Sequence, residues 1–211
     1  IDDTGSSIGA GSSLTLNGTG SFSTTIAFSG TSRTMDINGS LILTATGAGG
    51  RYNATNSVTT ISGLLKNDGS GGGSVGTITA PASTLSFAAG GMYEHALPGG
   101  TVPAASWDAT STCYVTGTTS AIPSGLNQAF GNLTINCANM SGTLNLPSSG
   151  LSVAGDLYIQ NTGSGTLSMQ QTPLNVTGNC TINDDFTFGS LARVLNVSGN
   201  FYLTGGTMTM S

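Results

Sequence analysis

The chain has 211 residues and a formal net charge of −5, and only 6% of its residues are charged. Its single Glu and single Lys exclude a long-helix or coiled-coil protein, its four basic residues leave no footprint for nucleic acid, and no run of about 20 apolar residues predicts a membrane-spanning helix. Gly, Thr, Ser and Asn together supply just over half of the chain, so the composition favours a structural or binding protein over an enzyme.

Short stretches in which apolar and polar residues alternate begin near the N-terminus, and this alternation is typical of half-buried β-strands. The first three are LTLNG at Leu14–Gly18, MDINGSLIL at Met35–Leu43 and TISGLL at Thr60–Leu65. Each contains a glycine that marks the repeat: Gly18, Gly39 and Gly63. The similar intervals between successive marking glycines indicate a repeat architecture.

Residues 66–127 break this period and form a predicted irregular insertion. The stretch holds the glycine-rich segment KNDGSGGGSVG and the chain's only Glu, His and Trp. Insertions in solenoids often gather on the binding face, so Tyr93, His95 and Trp107, within 92–113, are the candidate ligand-binding residues, with carbohydrate as the ligand. In the alternative interpretation these aromatic side chains fill the core of an enlarged turn.

The repeat returns after residue 127 and is clearest near the C-terminus. LSVAGDLYI, LNVTGNCTI and LNVSGNFYL, which start at Leu151, Leu174 and Leu195, share one pattern of apolar alternation around a Gly-Asn or Gly-Asp pair. The marking glycines of this half are Gly131, Gly155, Gly178 and Gly199. Their spacing matches that of the marking glycines in the N-terminal half.

Each repeat divides into three short strands and three corners. The sequence therefore predicts an all-β fold: one parallel β-solenoid over residues 1–211, with roughly nine coils of 21–24 residues and three short strands per coil. The marking glycines are predicted to lie at corners, where glycine can adopt positive φ at little cost. A leucine-rich repeat would need a helical side, and a β-sandwich would show strands every 8–12 residues without regularly spaced glycines.

A set of motifs in the second half resembles a known module. They are Tyr93-x-His95, Gly99-Gly100, Pro103, Trp107, Ser111-Thr112-Cys113, Val115-x-Gly117, Phe130-Gly131-Asn132-Leu133 and Asn136-Cys137. The run is similar to a recurrent module of very large, secreted, repetitive surface proteins of Bacteroidetes-type bacteria, many of them cargo of the type IX secretion system. The resemblance covers roughly residues 85–211 and implies an outer-surface location and a role in adhesion, gliding or matrix.

The predicted function is a non-catalytic structural or adhesive segment of a secreted surface protein or extracellular filament. We expect an extracellular location, no cofactor, and no nucleic-acid or membrane partner. The sequence stops at TMTMS without a polar cap, so a further coil of the same chain or an identical subunit is expected to follow, with a cell-surface glycan as a further candidate partner. The chain is then a fragment of a longer repetitive protein.

Three cysteines are present, and two of them are a candidate disulfide. Cys113 and Cys137 lie about one coil apart in the sequence, which would bring them within reach if both occupied the same coil position. Cys180 takes the position of Phe201 in its repeat and is predicted to be a small buried core residue.

An enzyme would require clustered carboxylates, as in polysaccharide lyases and hydrolases that are β-helices. The candidates are Asp156, Asp184 and Asp185 beside Arg193, and Asp184 with Asp185 is also the candidate Ca²⁺ site. All three aspartates fall at predicted corners, where Asx turns are common. Thr-x-Thr pairs begin at Thr44, Thr77 and Thr207 and leave an ice-binding solenoid as a further alternative.

Overall fold

The computed structural model describes residues 5–18, 21–28, 33–45, 49–69, 76–189 and 192–210. Over these ranges the fold is all-β, with parallel strands stacked as a β-solenoid, which confirms the predicted fold class. The same ranges include no helix long and apolar enough to cross a membrane. The chain divides into two compact units, one of residues 1–97 with 103–111 and one of residues 98–102 with 112–211.

The first unit has three parallel sheets that the chain visits in turn. Its first sheet contains β1 (Gly5–Ile8), β4 (Arg33–Ile37), β7 (Ser57–Ile61), β10 (Leu85–Phe87) and β12 (Ser106–Trp107). Its second sheet contains β2 (Ser13–Gly18), β5 (Ser40–Ala45), β8 (Leu64–Asp68) and β11 (Met92–Ala96). Its third sheet contains β3 (Thr24–Ala27), β6 (Gly50–Asn53) and β9 (Thr77–Thr79).

The second unit repeats this plan. Its first sheet contains β14 (Ala129–Phe130), β17 (Ser152–Val153), β20 (Leu174–Val176) and β23 (Leu195–Val197). Its second sheet contains β13 (Thr112–Val115), β15 (Asn132–Asn136), β18 (Leu157–Asn161), β21 (Cys180–Ile182) and β24 (Phe201–Leu203). Its third sheet contains β16 (Thr143–Asn145), β19 (Thr166–Ser168), β22 (Phe186–Thr187) and β25 (Met208–Thr209).

The core of each unit consists of columns of inward side chains, one residue from each turn. In the second sheet of the first unit, Leu41 pairs with Leu65 and Leu65 with Tyr93, and all three are fully buried. In the second unit, Ile135, Ile159 and Ile182 form an equivalent buried column. Strand alternation turns every second side chain inward, and each fully buried one contributes about 1.5–3 kcal/mol.

About seven turns carry all three strands, where the sequence predicted roughly nine. The third sheet limits the number, because it has three strands in the first unit and four in the second. Residues 97–105 and 116–128 form no strand, only an isolated bridge between Thr101 and Ser124. Proline, which lacks the N–H that a strand ladder needs, occurs in these segments at Pro98, Pro103 and Pro123.

The predicted insertion at 66–127 contains ordinary strands. β9 to β12 lie within it and pair in register with strands of the first unit. Met92 pairs with Leu64, so Gly91 occupies the corner position of Gly63 in the next turn. The interval between these two glycines is longer than the others, because the glycine-rich segment lengthens the turn, and the repeat is therefore hidden in the sequence. Positions 70–75 of that segment lie outside the described residues.

Six of the marking glycines lie in bends between a first-sheet and a second-sheet strand, although none of the seven has a positive φ. The glycines with positive φ in the described ranges are others, among them Gly11, Gly90, Gly150 and Gly206. A Cβ on Gly63 would lie 2.1 Å from the carbonyl oxygen of Gly39, and one on Gly178 would lie 2.4 Å from that of Gly155. These corners need glycine because the backbones of successive turns touch there.

Gly18 is not a corner residue. It is the last residue of β2 and pairs with Ala45 of β5. Ser13 pairs with Ser40, so Ser12 occupies the position that Gly39 takes in the next turn. The interval between Gly18 and Gly39 therefore joins two different positions of the turn.

Candidate functional site

The three predicted ligand-binding residues do not form an exposed groove. Tyr93 and His95 occupy inward positions of β11 and are fully buried, with the Tyr93 hydroxyl 3.0 Å from His95 Nδ1. Trp107 on β12 is partly exposed, and its ring stacks on that of Phe87 with 4.1 Å between centroids. The prediction of a shared exposed site is wrong, because strand alternation turns Tyr93 and His95 into the core, as the alternative interpretation expected.

The carboxylates of Asp184 and Asp185 accept backbone hydrogen bonds at the corner between β21 and β22. Asp184 Oδ2 accepts from the N–H of Thr162 at 2.7 Å, and its Oδ1 accepts from the N–H of Asp185 at 2.9 Å. Asp185 Oδ1 accepts from the N–H of Thr207 at 2.8 Å. Among the residues that the structure describes, no cluster of three or more His, Cys, Asp or Glu side chains is arranged to hold a metal ion.

The four residues considered for catalysis are distributed over three different corners of the second unit. Asp156 precedes β18, whereas Asp184 and Asp185 follow β21. Arg193 precedes β23, where its guanidinium donates to the backbone oxygen of Gln170 and, at 3.2 Å, to Gln170 Oε1. The structure does not bring the three carboxylates and the guanidinium into one cleft.

Asp156 belongs to a ladder of side chains that joins four turns at one corner. Asn132 Oδ1 accepts from the N–H of Asp156 at 2.8 Å, and Asp156 Oδ1 accepts from the N–H of Asn179 at 2.7 Å. Asn179 Oδ1 then accepts from the N–H of Asn200 at 3.0 Å. The repeated Gly-Asn and Gly-Asp pairs indicated the corner but not the hydrogen bonds between turns. The ladder gives backbone N–H groups at this corner an acceptor on the preceding turn.

The ladder predicts how Asp156 responds to substitution. We expect Asp156→Asn to leave the free energy of unfolding within about 0.5 kcal/mol of the wild type, because the amide keeps Oδ1 as an acceptor. Asp156→Ala removes the acceptor for the Asn179 N–H and is expected to cost about 1 kcal/mol. Urea denaturation followed by circular dichroism measures both values. Equal losses of unfolding free energy in the two variants would show that the hydrogen bond accepted by Asp156 does not stabilise the fold.

The predicted disulfide between Cys113 and Cys137 is wrong. All three cysteines are free and buried, and Cys113 pairs in register with Leu133, four residues before Cys137. An offset of four residues along a strand is about 13 Å, which is too far for a disulfide. Cys180 pairs with Phe201 and is fully buried, which confirms its predicted core position.

Because the three thiols are buried, we expect them to react slowly with thiol reagents and the protein to lose stability at alkaline pH. Burial raises the pKa of Cys180 from 9.0 to about 11, and it also raises the pKa of Cys113 and that of Cys137. At pH 8 we expect Ellman's reagent to modify none of them in the folded protein and all three in urea. The unfolded chain loses these protons first, so the free energy of unfolding should fall as pH rises from about 9 towards 11. Rapid modification of the folded protein, or stability that rises over this interval, would contradict the structure.

The Thr-x-Thr pairs considered for ice binding are distributed over different sheets. Thr44 lies on β5 of the second sheet, Thr77 and Thr79 lie on β9 of the third sheet, and Thr209 lies on β25 in the other unit. Position 46, the partner of Thr44, is outside the described residues. These pairs do not form a row on one sheet.

A column of outward-facing tyrosines in the second unit was missed at the level of sequence. Tyr114, Tyr158 and Tyr202 occupy outward positions of β13, β18 and β24 and account for three of the five tyrosines in the chain. The available signal was their spacing, since the same interval, equal to two turns, separates each from the next. The repeat was defined by its inward apolar positions, so the outward ones did not contribute to the motifs.

Comparison with protein-family models, with curated proteins and with solved structures finds no match to this chain.

Proposed function

We propose that this chain is a structural segment of a secreted bacterial surface protein or extracellular filament, and that it performs no catalysis. Its stacked turns would act as a stiff, largely uncharged spacer that holds contact surfaces away from the cell. The location outside the cell and the adhesive role extend the resemblance to Bacteroidetes-type surface proteins.

The observation that supports this proposal most strongly is the continuity of the inward columns from turn to turn. Leu133, Leu157, Cys180 and Phe201 occupy one column of the second unit in unbroken register. Each turn adds a full set of parallel hydrogen bonds and a new layer of apolar side chains, as a load-carrying repeat requires. The separation of Asp156, Asp184 and Arg193 onto different corners is consistent with an absence of catalysis.

In the turn at 195–210, apolar side chains that continue these columns are exposed to solvent. Phe201 is 42% exposed, Leu203 is 51% exposed and Met210 is 71% exposed, although the residues that pair with the first two on the preceding turn are fully buried. The backbone edge of β24 is in the same register as the turns before it. We propose that a further solenoid turn, from this chain or from an identical subunit, covers these side chains.

Immunogold labelling of source cells tests the location. Antibodies raised against the folded chain should label intact, unpermeabilised cells or material released from them. Labelling that requires permeabilised cells would contradict the proposal. Antibodies against a cytosolic protein of the same cells control for leakage.

A further inference from the structure

The second sheet of the second unit carries an outward column in which aromatic and hydroxyl side chains alternate. Tyr114 pairs with Thr134, Thr134 with Tyr158, Tyr158 with Thr181, and Thr181 with Tyr202. Neighbouring strands lie about 4.8 Å apart, so the tyrosines recur at about 9.6 Å. A single, smaller threonine side chain separates each tyrosine from the next.

The tyrosines are accessible, and the outward side chains of the strands that carry them are polar but uncharged. Tyr202 is 45% exposed, and Tyr114 and Tyr158 are partly exposed. Asn136 Nδ2 donates to the Tyr114 hydroxyl at 2.6 Å, and Gln160 lies beyond Tyr158 on β18. The outward positions of the five strands carry no Asp, Glu, Lys or Arg.

The corresponding outward column of the first unit has a different character. It consists of Thr15, Ile42, Lys66 and Glu94, and Lys66 Nζ lies 3.1 Å from Glu94 Oε1. The aromatic column is therefore not a general property of this solenoid's second sheet. A neutral partner fits it, because there is no charge on the strands for an ionic ligand to pair with.

We propose that Tyr114, Tyr158 and Tyr202 form a binding face for a neutral, extended polysaccharide of β-1,4-linked glucose or N-acetylglucosamine. Pyranose rings present flat C–H faces that pack on aromatic rings, while hydroxyl and amide groups bind the sugar hydroxyls. In an extended β-1,4-linked chain the same sugar face recurs every second residue. The length of such a disaccharide is close to the spacing of the tyrosines, so three rings can engage successive disaccharides of one chain.

This inference deepens the proposed adhesive function by naming a ligand class and a surface, and it rests on that function for its biological setting. The binding itself depends only on the outward column of the second unit. Failure to bind polysaccharide would therefore contradict this inference alone, whereas the absence of further stacked turns would contradict the proposed structural function.

Depletion isotherms of the full chain on microcrystalline cellulose and on chitin test the proposal. We expect saturable binding to at least one of them that changes little between low and high salt, and no binding to polygalacturonate. Tyr158→Ala is expected to weaken binding about tenfold, and the triple Tyr→Ala variant to abolish it. The triple Tyr→Phe variant keeps the rings and should retain most of the binding. Thr166→Ala, on the third sheet, should bind as the wild type does.

Circular dichroism and urea denaturation of each variant establish that it is folded. Absence of wild-type binding to both polysaccharides, or equal binding by the folded triple Tyr→Ala variant, would overturn the proposal. Analytical ultracentrifugation tests whether the tyrosine face instead binds a second copy of the chain. If the tyrosines change only the association state of the chain, this face is a self-association surface and not a glycan site.

Discussion

Replacement of Gly63 by alanine is expected to lower the free energy of unfolding by about 3 kcal/mol or more. The added Cβ would lie 2.1 Å from the Gly39 carbonyl oxygen and 2.6 Å from that of Asn38. Both contacts are with backbone atoms, so relief requires movement of one turn against the next. That movement would strain the hydrogen bonds that Gly63 makes to Ile37 and Met92 on its two neighbouring turns. Urea denaturation followed by circular dichroism measures the loss.

Gly9→Ala is the matched control in the same unit. A Cβ at Gly9 meets no atom closer than Ser12 Oγ at 3.9 Å, and this glycine is exposed. We expect this variant to stay within about 0.5 kcal/mol of the wild type. If Gly63→Ala were as stable as Gly9→Ala, close backbone approach would not be the reason for the spaced glycines.

Replacement of Phe186 by alanine is expected to cost about 3–5 kcal/mol. The ring is fully buried, pairs in register with Leu167 and Met208, and meets Phe188 edge-on with 5.7 Å between centroids. Its removal leaves a cavity that neighbouring turns cannot close without losing strand register. Thermal and urea denaturation of the purified variant measure the effect.

Thr143→Ala, at an outward position of the same sheet, is the control for Phe186→Ala. Thr143 is exposed on β16, and the substitution is expected to change the free energy of unfolding by no more than about 0.5 kcal/mol. Similar losses in the two variants would contradict the assignment of inward and outward positions in this sheet.

The fold could be predicted from the sequence because its signal is repeated. Leu174, Cys180 and Phe186 each open one strand of a three-strand turn, and the alternation around them recurs at a nearly constant interval. Register follows from that alternation, since a slip of one residue would expose the whole inward column. Cys180 was placed correctly because its repeat aligns with that of Phe201 without a gap.

The errors arose where a residue's position within the turn had to be inferred from an interval alone. Gly18 lies near the expected interval from Gly39 but at the end of a strand, and Cys137 lies about one turn from Cys113 but four residues out of register. His95 is the chain's only histidine and Tyr93 lies two residues before it, but neither rarity nor clustering reveals which face of a strand carries a side chain. The ladder through Asn179 depends on contacts between turns, which no single repeat contains.

We propose that further turns continue the stack at β24. Electron microscopy of the native particle, at a resolution that separates strands, would show whether they do. We predict a parallel strand paired with β24, at the usual spacing of about 4.8 Å, and apolar side chains covering Phe201 and Leu203. A native particle in which the β24 edge and both side chains face solvent would contradict the claim.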